Sequence, residues 1–144
     1  MADAAIWASK EGWARNHNDI DWEETFDFPG GKRSWRKFVS RGDDGTPEIF
    51  IITQDAGLVN ARHTHSEGEV QFIIEGSLVL DGKEWGPGTF FHQPKMQPYG
   101  PLTAGPNGVT YLNIRALPAD AKDRARPAAP GRDTVVRTDI KAKG

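Results

Sequence analysis

The chain has 144 residues, which suits one domain with a single core. A formal net charge of -2 provides no global basic field for nucleic acid or an anionic membrane. The absence of cysteine excludes disulfides, thiolate metal sites and a nucleophilic thiol.

Hydrophobic residues at 37% and charged residues at 26% place the chain among globular proteins. No apolar run approaches the ~20 residues needed to span a bilayer. No basic segment followed by an apolar run opens the chain, so no signal peptide is expected. A soluble cytoplasmic protein that binds neither nucleic acid nor membrane is the expectation.

Residues 1–33 read as an N-terminal arm. Ala2 to Arg15 is rich in alanine and is expected to form a short helix carrying Ile6, Trp7 and Trp13. In the acidic run Asn18 to Glu24, Asp21 and Glu24 have capping-box spacing, which reads as a solvated helix start. His17 is expected to be exposed.

Residues 34–116 change character. Short runs of β-branched, aromatic and aliphatic residues alternate with glycine and proline, which predicts strands near Trp35–Val39, Glu48–Thr53, Asn60–His65, Glu69–Glu75, Leu78–Leu80, Lys83–Trp85, Thr89–Gln93 and Val109–Arg115. Gly76-Ser77, Asp81-Gly82, Gly86-Pro87-Gly88 and Asn107-Gly108 are the turn signals. Asp81-Gly82 is the sharpest, a two-residue hairpin. Many short strands with close turns make an all-β sandwich or barrel. Residues 117–144 form a Pro/Ala/charged tail in which only Thr134-Val135-Val136 looks able to add a strand.

The chemistry concentrates between Gly57 and Gly76. Residues two apart on a strand share a face, so His63 and His65 project together. Glu69 opens the next strand after a tight Ser66-Glu67-Gly68 connection and can stand opposite them. Two imidazoles and a carboxylate on one face make an open site for Fe, Zn, Mn, Ni or Co as a divalent ion. Gln71 shares the face of Glu69. Val70, Phe72 and Ile74 share the opposite face, which needs a cover such as a second subunit or the N-terminal helix. A homodimer that exchanges its terminal segments is expected.

The spacing Gly57, five residues, His63, one residue, His65, three residues, Glu69, six residues, Gly76 resembles the first motif of the cupin superfamily at every defined position. The second motif is partial. Gly88 and Pro94 fit, but Met96 stands in place of glycine, Tyr99 in place of the fourth ligand histidine and Thr103 where asparagine is common. The resemblance spans roughly residues 35 to 115. It implies a single cupin barrel (a double-stranded β-helix, or jelly roll) with a metal bound inside.

Three completions of the metal site stay open. His92 enters the cavity if Phe90, His92 and Pro94 face inward; Tyr99 ligates or contacts substrate; or three ligands suffice. Arg62 and Arg115 are further candidates, for neutralising an anionic substrate. Phe72, Trp85, Phe90, Phe91, Met96, Pro98 and Tyr99 suggest an aromatic barrel mouth. The site suits a small oxygenated substrate, aromatic or diketone-like, chelated to the metal. The reaction is then dioxygenation or metal-stabilised enolate chemistry, with His92, Gln71 or Tyr99 handling the proton. A zinc-dependent polyketide cyclase or isomerase of the cupin type is one alternative. A non-catalytic, metal-dependent small-molecule binding module is another.

Overall fold

The computed structural model describes residues 12–25, 28–42, 45–116 and 140–142. Among these residues nine antiparallel strands carry the fold: β1 (Glu23–Thr25), β2 (Ser34–Arg41), β3 (Glu48–Gln54), β4 (Val59–Asn60), β5 (Glu69–Leu80), β6 (Lys83–Trp85), β7 (Phe90–Gln93), β8 (Leu102–Arg115) and β9 (Ile140–Ala142). They pair in the order β6-β5-β8-β3-β2-β1-β9, with β4 on β8 and β7 on β5. The architecture is all-β, as the sequence predicts. Among the described residues no helix is long and apolar enough to cross a membrane.

Two long strands turn the sheet over on itself. The first half of β5 pairs with the second half of β8 from Glu69↔Arg115 to Gly76↔Val109, and after a register shift Leu78 and Val79 pair with Ala104 and Thr103. The shift falls at two glycines. Gly76 has φ of 73°, and a Cβ there would lie 2.1 Å from the carbonyl oxygen of Gly108, which itself has φ of 78°. Only residues without side chains let the two backbones cross this closely. The sequence reads Gly76-Ser77 and Asn107-Gly108 as turns between strands. In the structure they are the places where single strands bend.

Asp81-Gly82 does form the expected hairpin turn. Both residues have positive φ, 53° and 74°, and Leu80 pairs with Lys83 across them. That is the geometry of a type I′ turn. Strand alternation then places Ile52, Ile73, Leu78, Leu102, Val109 and Tyr111 in the core with Phe50 and Leu58.

The N-terminal arm departs from its reading. The expected helix falls largely on residues outside the described ones, and residues 12–25 hold one 3-10 turn, His17–Asp19. His17 is exposed, as expected. Glu24 starts no helix. It is buried on β1, beside Trp35 of β2, and takes two hydrogen bonds from the Arg33 guanidinium. A carboxylate with a bidentate arginine partner can sit inside a sheet, which the spacing rule for caps could not foresee. Thr134-Val135-Val136 lies outside the described residues, whereas Ile140–Ala142 pairs with β1.

Candidate functional site

Alternation along β3, β5 and β8 decides which side chains enter the barrel. Glu48 pairs with Arg115, which pairs with Glu69, so three charged residues form one row across three strands. Glu48 and Glu69 are buried. Asn113 and Gln71 form the next inward row with Phe50 and Phe91. The segment of His63 and His65 lies beside residues 96–99. His63 and Tyr99 exchange both backbone hydrogen bonds, and the Met96 amide donates to the His65 carbonyl.

The structure brings His63, His65, Glu69 and Tyr99 together. The imidazoles of His63 and His65 stand 4.9 Å apart, nearly perpendicular, and the Tyr99 ring is 4.6 Å from that of His63. His65 Nε2 is 3.6 Å from Glu69 Oε2. The Tyr99 hydroxyl donates to the same carboxylate oxygen. Of the open completions, Tyr99 is therefore the one whose side chain reaches the cluster.

Arg115 is the hub of the cluster. Its Nε donates to Glu69 Oε1 at 3.0 Å, and Nη1 donates to Glu48 Oε1 at 2.8 Å. Nη2 lies 3.3 Å from His65 Nε2. A guanidinium can only donate, so that imidazole nitrogen is the acceptor and carries no proton.

The electrostatics agree with this assignment. Burial, then the charge of Arg115, holds the His65 pKa down at about 3 against the pull of Glu69. Burial also lowers His63. For Glu69, burial raises the pKa, but Arg115, His65 and Tyr99 outweigh it and hold the carboxyl at about 2. Burial and Glu69 raise the Tyr99 phenol, which stays protonated. The contact of His65 with Glu69 is therefore no ion pair at neutral pH.

His63 has its own constraint. Its Nδ1 lies 2.7 Å from the Ala61 carbonyl, an acceptor, so Nδ1 carries the proton and Nε2 keeps its lone pair. Metal-bound histidines are oriented in this way, by a carbonyl behind the ring.

Two neutral imidazoles and an ionised carboxylate form the donor set that a divalent cation needs, and by this chemistry the residues fit one. Arg115 is the competing cation, since its N–H groups hold Glu69 Oε1 and His65 Nε2. Among the described residues no three His, Asp or Glu side chains stand preassembled around a cation position. A metal would therefore have to displace the Arg115 contact with His65.

His92 does not join the cluster. It pairs with Val70 on the outward face of β7 and is exposed, while its neighbours Phe91 and Gln93 point inward. The phase of β7 is set by its pairing with β5, one residue out of step with the expected inward set of Phe90, His92 and Pro94. Gln71 does point inward, 3% exposed, and its Oε1 has no hydrogen-bond partner. Arg62 is exposed.

The aromatic mouth also divides. Trp85 and Phe91 pack together at 5.8 Å beside the core, whereas Phe72 and Phe90 stack at 4.5 Å on the outer face. Glu48 and Arg36, both on inward rows, escape the sequence reading. Their signal was alternation with buried aliphatics, as in Glu48, Phe50 and Ile52.

No family model and no curated protein sequence matches the chain. Solved structures do match. The polyketide cyclase RemF from Streptomyces resistomycificus aligns with a TM-score of 0.57 at 19% identity, over 92% of this chain and 86% of its own. An RmlC-like cupin protein from Ralstonia eutropha aligns at 0.61 and 14% identity, over 90% of this chain and 78% of its own. A proposed acetylacetone dioxygenase from Methylibium petroleiphilum aligns at 0.61 and 16%, over 90% of each chain. With the barrel so matched, the chain has the fold of the cupin superfamily.

Proposed function

We propose that the chain is a metal-dependent cupin enzyme acting on a small oxygenated substrate held inside the barrel. His63, His65 and Glu69 would hold the metal. A bound metal would supply Lewis-acid charge that lowers the pKa of a substrate hydroxyl and stabilises the resulting enolate. The observation that carries the reading is the His63 ring, whose Nδ1 is tied to the Ala61 carbonyl so that its Nε2 keeps a lone pair for a metal.

The chain's own residues supply the rest. Tyr99, kept protonated, is positioned to donate a proton or hydrogen bond at the Glu69 side of the cavity. Gln71 offers an unpartnered carbonyl oxygen to a substrate hydroxyl. Dioxygenation and enolate chemistry such as cyclisation or isomerisation both use these parts. The likeness to a polyketide cyclase and to a proposed acetylacetone dioxygenase supports the pair without separating them.

A second reading has its own support. Arg115 already places a cation on Glu69 and His65, which suits a barrel that binds its ligand without metal or turnover. Elemental analysis of the protein and of His63→Ala decides between them. The first reading expects about one equivalent of a divalent metal, lost in the variant. Metal absent from both, or equally present in both, overturns it. With metal established, oxygen uptake on β-diketones and catechols marks a dioxygenase, and turnover without uptake marks the cyclase or isomerase.

A further inference from the structure

The barrel interior holds a second cationic residue that the cluster does not use. Arg36 pairs with Ile52 on β3, which pairs with Tyr111, which pairs with Ile73; the last three are core residues, so Arg36 is on the inward row. Its guanidinium lies over the Phe50 ring, 5.1 Å from the centroid. Its field reaches both histidines, Glu48 and Glu69.

Yet Arg36 Nε is sealed from solvent with no hydrogen-bond partner, and among the described residues no carboxylate stands within ion-pair distance of it. Both interior carboxylates belong to Arg115. A buried guanidinium N–H without a partner is costly, and an acceptor from outside the chain would satisfy it. The adjoining inward row adds two more unfilled groups, Asn113 Nδ2 and Gln71 Oε1, which are register partners on β8 and β5.

We propose that Arg36 is the anion anchor of this barrel, taking the carboxylate of a small organic acid, with Asn113 donating to that acid and Gln71 accepting from a hydroxyl on it. Two donors and one acceptor left open on adjoining inward rows match an acid bearing a hydroxyl or enol better than a neutral ketone. The charge balance points the same way. The charges of Arg36 and Arg115 offset those of Glu48 and Glu69, so a divalent metal would add charge that no fixed carboxylate balances. That last step rests on the proposed metal site; the unfilled donors of Arg36 and Asn113 do not.

The test uses the full chain, in metal-loaded and EDTA-treated forms, with formate, malonate and benzoate as probes and malonamide as the neutral control. Anion-induced rise in Tm and calorimetric titration are the readouts. At least one carboxylate should bind both forms, malonamide should not, and Arg36→Met should weaken the anion at least tenfold, with Arg36→Lys intermediate. Without probe, Arg36→Met should melt no lower than wild type, because it removes a buried N–H that nothing in the chain satisfies. No carboxylate binding to wild type overturns the proposal. So does equal binding by Arg36→Met, or a large fall in its unliganded Tm, which would make Arg36 structural. Metal content measured alongside separates the outcomes. A failed metal site with Arg36-dependent binding leaves the anchor standing, and the reverse removes the anchor alone.

Discussion

His65 is uncharged at neutral pH because burial, and after it the guanidinium of Arg115, oppose its protonation. Arg115 and burial together hold its pKa at about 3, from an ordinary value of 6.5. Between those values the unfolded chain binds a proton that the folded chain refuses, so stability rises with pH across the window and is lost as pH falls from 6.5 toward 3. His63, also lowered, acts in the same direction. Glu69, at about 2 instead of 4.5, adds a further loss below pH 4.5. The metal-free protein should therefore weaken on mild acidification, approaching about 1.4 kcal/mol per pH unit per group at the limiting slope. Urea midpoints of the EDTA-treated chain measured from pH 7 to 4, with His65→Gln beside it, test this. The variant should have the flatter profile, and parallel profiles would remove His65 as the cause.

At the level of strands, the crossing of β5 and β8 depends on two glycines for different reasons than the hairpin does. Gly82 has φ of 74°, and no atom lies within 4 Å of the place a Cβ would take, whereas Gly76 has φ of 73° and the Gly108 carbonyl 2.1 Å from that place. Gly82→Ala should cost about 1 kcal/mol, the left-handed backbone alone. Gly76→Ala adds a clash with main chain that no side-chain rotation relieves, and should cost well over ~2 kcal/mol. Chemical denaturation of the two variants makes the comparison, and equal losses would show that the crossing relaxes freely.

The same contrast marks what the sequence could disclose. Asp81-Gly82 is a local signal, and its hairpin is legible. Gly76 and Asn107-Gly108 read as turns because a bend inside a long strand and a turn between two strands use the same residues. The histidine pair and Glu69 are legible because their spacing is local. The phase of β7 is not, since it is fixed by pairing with β5, and this moved His92 from the cavity to the outer face. Arg36, Glu48 and Arg115 gain meaning only when β2, β3 and β8 lie in register.

On the scale of the whole molecule, none of the described residues covers the outer face of the same sheet. Val70, Ile114 and Ile49 are register neighbours, as are Phe72, Leu112 and Ile51, so two apolar rows run across β5, β8 and β3. Val70 is 40% exposed, Ile74 46%, Phe90 69% and Ile114 37%. No charged residue interrupts the two rows, the depletion expected at the centre of an interface. A twofold axis through such a sheet lets each copy cover the other with the same rows, so a second copy of the chain is the occupant we expect. Phe90 and Ile74 lie on this face and away from the histidine cluster. Ile74→Glu combined with Phe90→Lys should therefore yield a monomer in sedimentation velocity with its metal content and far-UV spectrum unchanged. A wild-type monomer at tens of micromolar would refute the self-association. A dimer that persists in the variant would place the contact elsewhere.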